Sequence, residues 1–177
     1  MNTQREDIFT MARRLMDEWY LDSLPGHRCL YWAHVGHVAC YRVGIHAAIV
    51  GGTAYWHCNH RKHPDHNTVG TYWSGGIPSP GEPVRVLQDS DMTKEIHVWL
   101  WLPATKECVD FSVGELPTLA SKVNVAWDRD ELKVPYLWGK PNVLAESGAF
   151  YLPYRDATEY VHNIMKESYA KAQCRAG

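Results

Sequence analysis

A single domain that mixes helices with an antiparallel strand pair is what the sequence predicts, and three observations predict it. The length of 177 residues suits one core rather than two. Apolar residues recur at helical spacing near both ends of the chain, and the stretch from Glu95 to Ser112 alternates apolar and polar twice around Pro103. Apolar residues at 45% and charged residues at 21% exclude the disordered and collagen-like classes. Eighteen basic against twenty acidic side chains give a net charge of -2. That balance lacks the basic excess that draws phosphate backbones or anionic membranes, so neither nucleic acid nor a membrane surface is expected as a partner. No apolar run approaches the ~20 residues of a membrane span, and residues 1–20 are amphipathic and charged, unlike a secretory signal; a cytoplasmic location is expected.

The first helix is expected over residues 3–20. Ile8, Met11, Ala12, Leu15 and Trp19 share one face, behind a capping box formed by Thr3 and Glu6. After the breaker Leu24-Pro25-Gly26, residues 29–43 read as a second helix, apolar on most of its circumference through Leu30, Trp32, Ala33, Val35, Val38, Ala39 and Tyr41. A helix of that kind is buried on several sides. Gly44 stops it. Residues 45–50 form an apolar run of interior-strand type, bounded by Gly51-Gly52.

Periodicity fades from Thr53 to Pro83, where glycines and prolines accumulate. A long loop-rich insertion is expected over about residues 53–94, with Tyr72-Trp73 as a short strand inside it. Order returns at Glu95–Leu102, where His97, Trp99 and Trp101 fall on one face and Ile96, Val98, Leu100 and Leu102 on the other. Pro103-Ala104 then turns the chain into a second alternating run, Cys108–Ser112. A capping box at Asp156–Glu159 opens a closing helix that carries Tyr160, Val161, Ile164, Met165 and Tyr169. There is no internal repeat and no linker composition.

The hairpin brings two chemically useful side chains together. If a two-residue turn lies between Leu102 and Thr105, Asp110 stands directly opposite His97, with Cβ atoms ~5 Å apart. A carboxylate there takes the proton of one imidazole nitrogen and leaves the other as a base. A slip of one residue would turn the carboxylate to the other face. Cys29 is the third member. It opens the second helix, where unpaired N–H groups and the positive end of the helix dipole favour a negatively charged sulfur and could hold an oxyanion. The five cysteines are odd in number and lack disulfide-framework spacing, so at least one thiol is free. His27, His34 and His37 are alternative bases near Cys29 in sequence, although a histidine on a buried helix is more often a satisfied core residue.

These residues carry a resemblance. Cys29-Leu-Tyr-Trp-Ala33, its helix, and Val43-Gly-Ile-His-Ala47 before the strand resemble the nucleophile segment of the transglutaminase-like superfamily, in which Cys-x-x-x-Ala precedes a Gly-Ile-Pro-Ala-type strand. His97-Val-Trp99 is similar to that family's His-x-Trp strand, and Val109-Asp110-Phe111-Ser112 to its Val-Asp-Pro-Thr segment. The matches fall in family order and cover residues 25 to 114. The resemblance implies a papain-like α+β fold with its nucleophile helix packed on an antiparallel sheet, Cys29 as nucleophile, His97 as acid/base and Asp110 as its orienting partner. It also implies acyl transfer through a thioester, on an amide or peptide bond of a protein or peptide substrate, without metal or organic cofactor. Hydrolysis is preferred over transfer to an amine, because nothing marks an amine site. His46, Phe111 and Ser112 depart from the family pattern and leave the triad intact. The insertion lies where substrate would enter, so substrate class does not carry over.

Two other signals accompany the triad. Trp32, Trp99 and Trp101 lie on the segments that would line the cleft and are candidate substrate-binding residues, with core filling as the alternative. His57, Cys58, His60, His63 and His66 crowd ten residues and are weak candidates for zinc, without a second Cys pair or a Cys2His2 spacing and with Pro64, Asp65 and Asn67 marking a solvated loop. A non-catalytic binding module on the same fold is the remaining alternative.

Overall fold

Helix α1 (Asn2–Tyr20) and helix α2 (Arg28–Arg42) start within a residue of the sequence expectation. The computed structural model describes residues 2–20, 28–58, 68–71, 84–86, 96–122 and 127–175. Gly44 ends α2 through its left-handed backbone, φ 77°. Ile45 N–H donates to the Cys40 carbonyl at 2.9 Å and Gly44 N–H to that of Tyr41 at 3.0 Å. This pair of bonds is the Schellman arrangement, which satisfies carbonyls that a helix end leaves bare. In mid-helix, Gly36 seats α2 on the sheet: a Cβ there would lie 2.7 Å from Phe111 and 3.0 Å from Leu100.

The strands are β1 (Ala48–His57), β2 (Thr68–Thr71), β3 (Val84–Val86), β4 (His97–Leu102), β5 (Glu107–Asp110), β6 (Leu137–Gly139) and β7 (Ala149–Pro153). They form one seven-stranded sheet in the order β3-β2-β1-β4-β5-β6, with β7 on the other edge of β1; every pairing is antiparallel except β2 with β3. The first half of β1 pairs with β4, and its second half runs between β2 and β7. One long strand thus serves two parts of the sheet, which curls into a half-barrel. Short helices α3 (Leu116–Lys122) and α4 (Pro141–Glu146) follow β5 and β6, and α5 (Arg155–Arg175) closes the chain. The molecule is therefore an α+β fold with its N-terminal helices packed on a largely antiparallel sheet.

Three sequence expectations change. Gly51-Gly52 does not end the first strand, because β1 runs on through both to His57. The glycines make room for neighbours instead. A Cβ on Gly52 would run into the Leu152 carbonyl oxygen of β7, and one on Gly51 would lie 2.9 Å from the Ala157 carbonyl of α5. The expected insertion accordingly begins inside a sheet strand and contributes β2 and β3; the Tyr72-Trp73 strand lies outside the described residues. The hairpin turn is also longer than two residues. Lys106 takes a left-handed φ of 57° and its N–H closes on the Leu102 carbonyl at 2.8 Å. Register follows Leu100↔Val109 and Leu102↔Glu107, which aligns Asp110 with Trp99 rather than with His97.

Alternation on β4 divides the core in two. Val98, Leu100 and Leu102 pack with α1 and α2, around Ile8, Ala12, Val35, Ala39 and Phe111. Trp99 packs on the opposite face with Trp56, Cys108, Tyr151, Val113 and Leu132. Both faces of β4 are buried, each large apolar side chain there contributing about 1.5–3 kcal/mol of burial free energy. No helix among the described residues is long and apolar enough to cross a membrane.

Candidate active site

Asp110 is the best-connected polar group of the buried face. It ends β5 at 2% exposure and receives four hydrogen bonds. Ser112 donates to Oδ1 from its backbone N–H at 2.8 Å and its hydroxyl at 2.7 Å. His97 Nε2 at 2.9 Å and the Tyr151 hydroxyl at 2.8 Å both donate to Oδ2. Every carboxylate lone pair is used, as a buried charge requires. The expected pair forms although the register is shifted by two, because an even shift keeps both side chains on one face.

The His97 ring is fixed on all sides. Trp56 meets it edge-on with centroids 5.1 Å apart, Trp99 stacks at 6.1 Å and Tyr151 lies at 6.2 Å. The Cys29 side chain lies close enough to the same imidazole to add to the rise in its pKa. With Nε2 committed to Asp110, Nδ1 is the ring nitrogen that remains for the sulfur. Burial alone would favour the neutral ring, but the charge and hydrogen bond of Asp110, with those of Cys29, more than reverse this and raise the His97 pKa. Burial likewise opposes ionisation of Asp110, yet His97 and the two Ser112 donors hold its carboxyl below the usual range. The pair is therefore an imidazolium and a carboxylate at neutral pH.

Cys29 occupies the second residue of α2, where its backbone N–H is among those that a helix start leaves without an intrahelical partner. It is half-buried, whereas Cys40, Cys58 and Cys108 are buried. Burial raises those three thiols to about 11, 12 and 12 respectively. Glu115, just after β5, fixes this end of α2. Its Oε1 accepts from Trp32 Nε1 at 2.9 Å and pairs with Arg28 Nε at 2.7 Å, bracketing Cys29 from both sides in sequence.

The three tryptophans separate. Trp32 is 9% exposed and stacks on Phe9 at 6.0 Å, while Trp99 is 2% exposed and forms part of the wall around His97. Both are core-filling. Trp101 is half-buried and lines an apolar cavity of about 240 Å³ with Trp99, Tyr151, Pro141 and Pro153. The alternative bases have other partners: His34 Nδ1 shares a hydrogen bond with the Tyr20 hydroxyl at 2.6 Å, and His37 Nδ1 bonds the Ala47 carbonyl at 2.9 Å. His27 lies outside the described residues. Of the zinc candidates, Cys58 donates to the Trp56 carbonyl at 3.3 Å and the His57 ring meets Phe150 at 5.1 Å. His60, His63 and His66 are outside the described residues, among which no group of three or more potential ligands gathers. Tyr151, Ser112 and Glu115 are the site residues that pattern reading misses. Residues 149–153, an apolar and aromatic run after Gly148, carry the signal that could have located Tyr151.

Fold and site together define the chain as an α+β protein with a half-buried helix-borne thiol near a buried histidine–aspartate pair. No family model and no curated protein matches the sequence. Among solved structures, the chain is similar to a crystal structure described only as that of a genomics protein. The TM-score is 0.56 over 96% of this chain and 74% of that one, at 12% identity, a likeness of fold alone.

Proposed function

We propose that the protein is a cysteine-dependent acyl-transfer enzyme of transglutaminase-like type, with a papain-like core, that hydrolyses an amide or peptide bond through a thioester. The observation that carries this reading is a buried imidazole bonded to Asp110 at 2.9 Å through Nε2, with the half-buried Cys29 side chain near enough to raise its pKa. Nucleophile, acid/base and orienting carboxylate then stand in the order acyl transfer needs.

Cys29 Sγ attacks the carbonyl carbon, and its proton resides on His97. The carbonyl oxygen gathers negative charge, for which the first-turn N–H groups of α2, which a helix start leaves without intrahelical partners, are suitable donors. As the C–N bond breaks, the imidazolium gives its proton to the departing amine and a thioester remains on Cys29. A water molecule then adds to the thioester carbon and passes a proton to His97. Collapse releases the carboxylic acid and returns the proton to sulfur. Asp110 stays ionised throughout and holds the ring in place. Protein or peptide substrates fit this chemistry, and no cofactor enters it.

The test is selective alkylation followed by turnover. Near neutral pH, iodoacetamide should modify Cys29 much faster than Cys40, Cys58 or Cys108, and His97→Gln should slow that modification at least tenfold. Peptide-amide hydrolysis by the wild type, lost in Cys29→Ala, completes the case. Equal labelling of the thiols, or Cys29 reactivity indifferent to His97, would overturn it. A retained biological effect in Cys29→Ala would assign the fold to binding instead.

A further inference from the structure

Two donors converge on one oxygen of Asp110, and they come from different parts of the sheet. Oδ1 is held by its own segment, through Ser112. Oδ2 is shared between His97 of β4 and Tyr151 of β7, a strand that pairs with β1 through Ala54↔Tyr151. We infer that Tyr151 is a positioning residue of this site: its hydroxyl fixes Asp110 Oδ2 where His97 Nε2 binds, and so sets the orientation of the imidazole that faces Cys29. The inference rests on the proposed reading of Cys29, His97 and Asp110 as one site.

The direction of the hydroxyl follows from its neighbours. Trp56 Nε1 lies 3.4 Å from the Tyr151 oxygen, and an indole N–H only donates. The tyrosine oxygen is therefore an acceptor on that side, and its own proton goes to Asp110. Its ring is clamped between Trp99, at 5.3 Å, and Trp56, at 6.2 Å, and the residue is 8% exposed, so the hydroxyl has little freedom to aim elsewhere. A proton-donor chain thus runs from Trp56 through Tyr151 to the same oxygen that binds His97. Packing alone does not call for the hydroxyl, since a phenylalanine would fill the same space.

A second donor on Oδ2 makes that oxygen a poorer proton acceptor. It keeps the bridging proton on imidazole and restrains rotation of the carboxylate. The titratable groups facing the pair are Cys29 from α2, Cys108 on β5 and Tyr151 itself. Burial, followed by the Asp110 charge, raises Tyr151 well above the usual phenol value, so it stays a donor at any working pH.

The experiment is a pair of opposite perturbations read at His97 by imidazole NMR without substrate. Tyr151→Phe removes the donor and should move the His97 titration upward by about one unit, with the Ser112 amide resonance little changed. Biosynthetic 3-fluorotyrosine makes the hydroxyl a stronger donor, leaves the fold intact and should move the titration downward. In turnover, Tyr151→Phe should lower kcat about tenfold with KM within about twofold, and shift the alkaline limb of the pH profile upward. A His97 titration that ignores both perturbations overturns the inference and leaves Tyr151 a packing residue. Opposite shifts in a protein without amidase activity uphold the tyrosine's hold on the pair and overturn the functional reading alone.

Discussion

Gly36→Ala sets two known effects against each other in one methyl group. Alanine is the better helix former by about 1 kcal/mol, so an exposed mid-helix glycine would gain from the change. Gly36 is not exposed. Its added Cβ would sit 2.7 Å from both Phe111 Cδ2 and Cε2, where ordinary contact begins at 3.4 Å, and 3.0 Å from Leu100 Cδ1. Phe111 has nowhere to retreat, with Phe9, Tyr136 and Trp138 at centroid distances of 5.6, 5.9 and 6.3 Å; Leu100 is fully buried. The helix must give way instead, by about the 0.7 Å that separates 2.7 from 3.4 Å. Overpacking of this kind costs about 1–3 kcal/mol, which offsets the propensity gain and leaves a net loss of about 0–2 kcal/mol. The same displacement carries Cys29 away from His97, and a misplacement approaching 1 Å is enough to slow the thiol's chemistry by about tenfold or more. Urea unfolding at unchanged m-value should report the first effect and the alkylation rate of Cys29 the second. A Gly36→Ala protein as stable as the wild type, with unaltered Cys29 reactivity, would refute the close seating of α2 on Phe111.

Further outcomes follow from the surroundings of the site. Glu115→Gln keeps an acceptor for Trp32 Nε1 and loses only the half-exposed Arg28 pair, so it should cost about 0.5 kcal/mol; Glu115→Ala strands the indole N–H and should cost about 1–3 kcal/mol. Equal midpoints for the two in chemical unfolding would show that the indole bond contributes nothing. The stability advantage of wild type over His97→Gln should depend on pH in a defined way. The raised His97 contributes fully below the usual imidazole value of 6.5 and fades as pH climbs toward its folded value, whereas the lowered Asp110 contributes fully above 3.8 and fades as pH falls below it. The difference in unfolding free energy should therefore be largest between those two values, and a difference that grows above pH 7 would contradict the assignment of the ion pair. Lys106→Gly relieves a left-handed lysine at some cost in chain entropy, a net gain of about 0.5 kcal/mol that should raise Tm by about 1–2 °C. A fall in Tm would mean that the lysine side chain holds the turn.

The parts of the molecule that the sequence makes legible are those governed by local rules. Gly44 ends α2 because a left-handed C-terminal residue is a property of a few neighbouring peptides. The shared face of His97 and Asp110 survives an incorrect turn length, because side chains alternate with period two and the register moved by two. The turn itself is misread because Lys106 adopts a conformation whose usual signals are glycine and asparagine. Gly51-Gly52 shows the limit most clearly: as punctuation it reads as a strand end, and only the approach of Leu152 and Ala157, a hundred residues on, reveals that it holds a place for β7 and α5. Elements of three to seven residues, β6, α4, β7 and α3, are too short to express a period, so the aromatic run after Gly148 marks a strand without showing that Tyr151 reaches Asp110.

The position of the site follows from the same geometry. Cys29 packs at the margin of the helix-covered cluster, whereas the His97 ring belongs with Trp56, Trp99 and Tyr151 on the opposite face. A continuous sheet would keep such groups apart. At His97 the sheet is not continuous on the β5 side, because β5 ends at Asp110, level with Trp99, and the chain turns away through Ser112 into a short 3-10 turn. The early end of β5 thus does two things at once. It delivers a carboxylate diagonally to the imidazole, and it leaves His97 without a strand partner on the β5 side. Lengthening β5 by two residues, with Phe111 and Ser112 brought into register beside Val98 and His97, would keep the sheet and separate the imidazole from Cys29. Iodoacetamide reactivity of Cys29 matching that of the wild type in such a variant would show that the thiol reaches the ring by some other route.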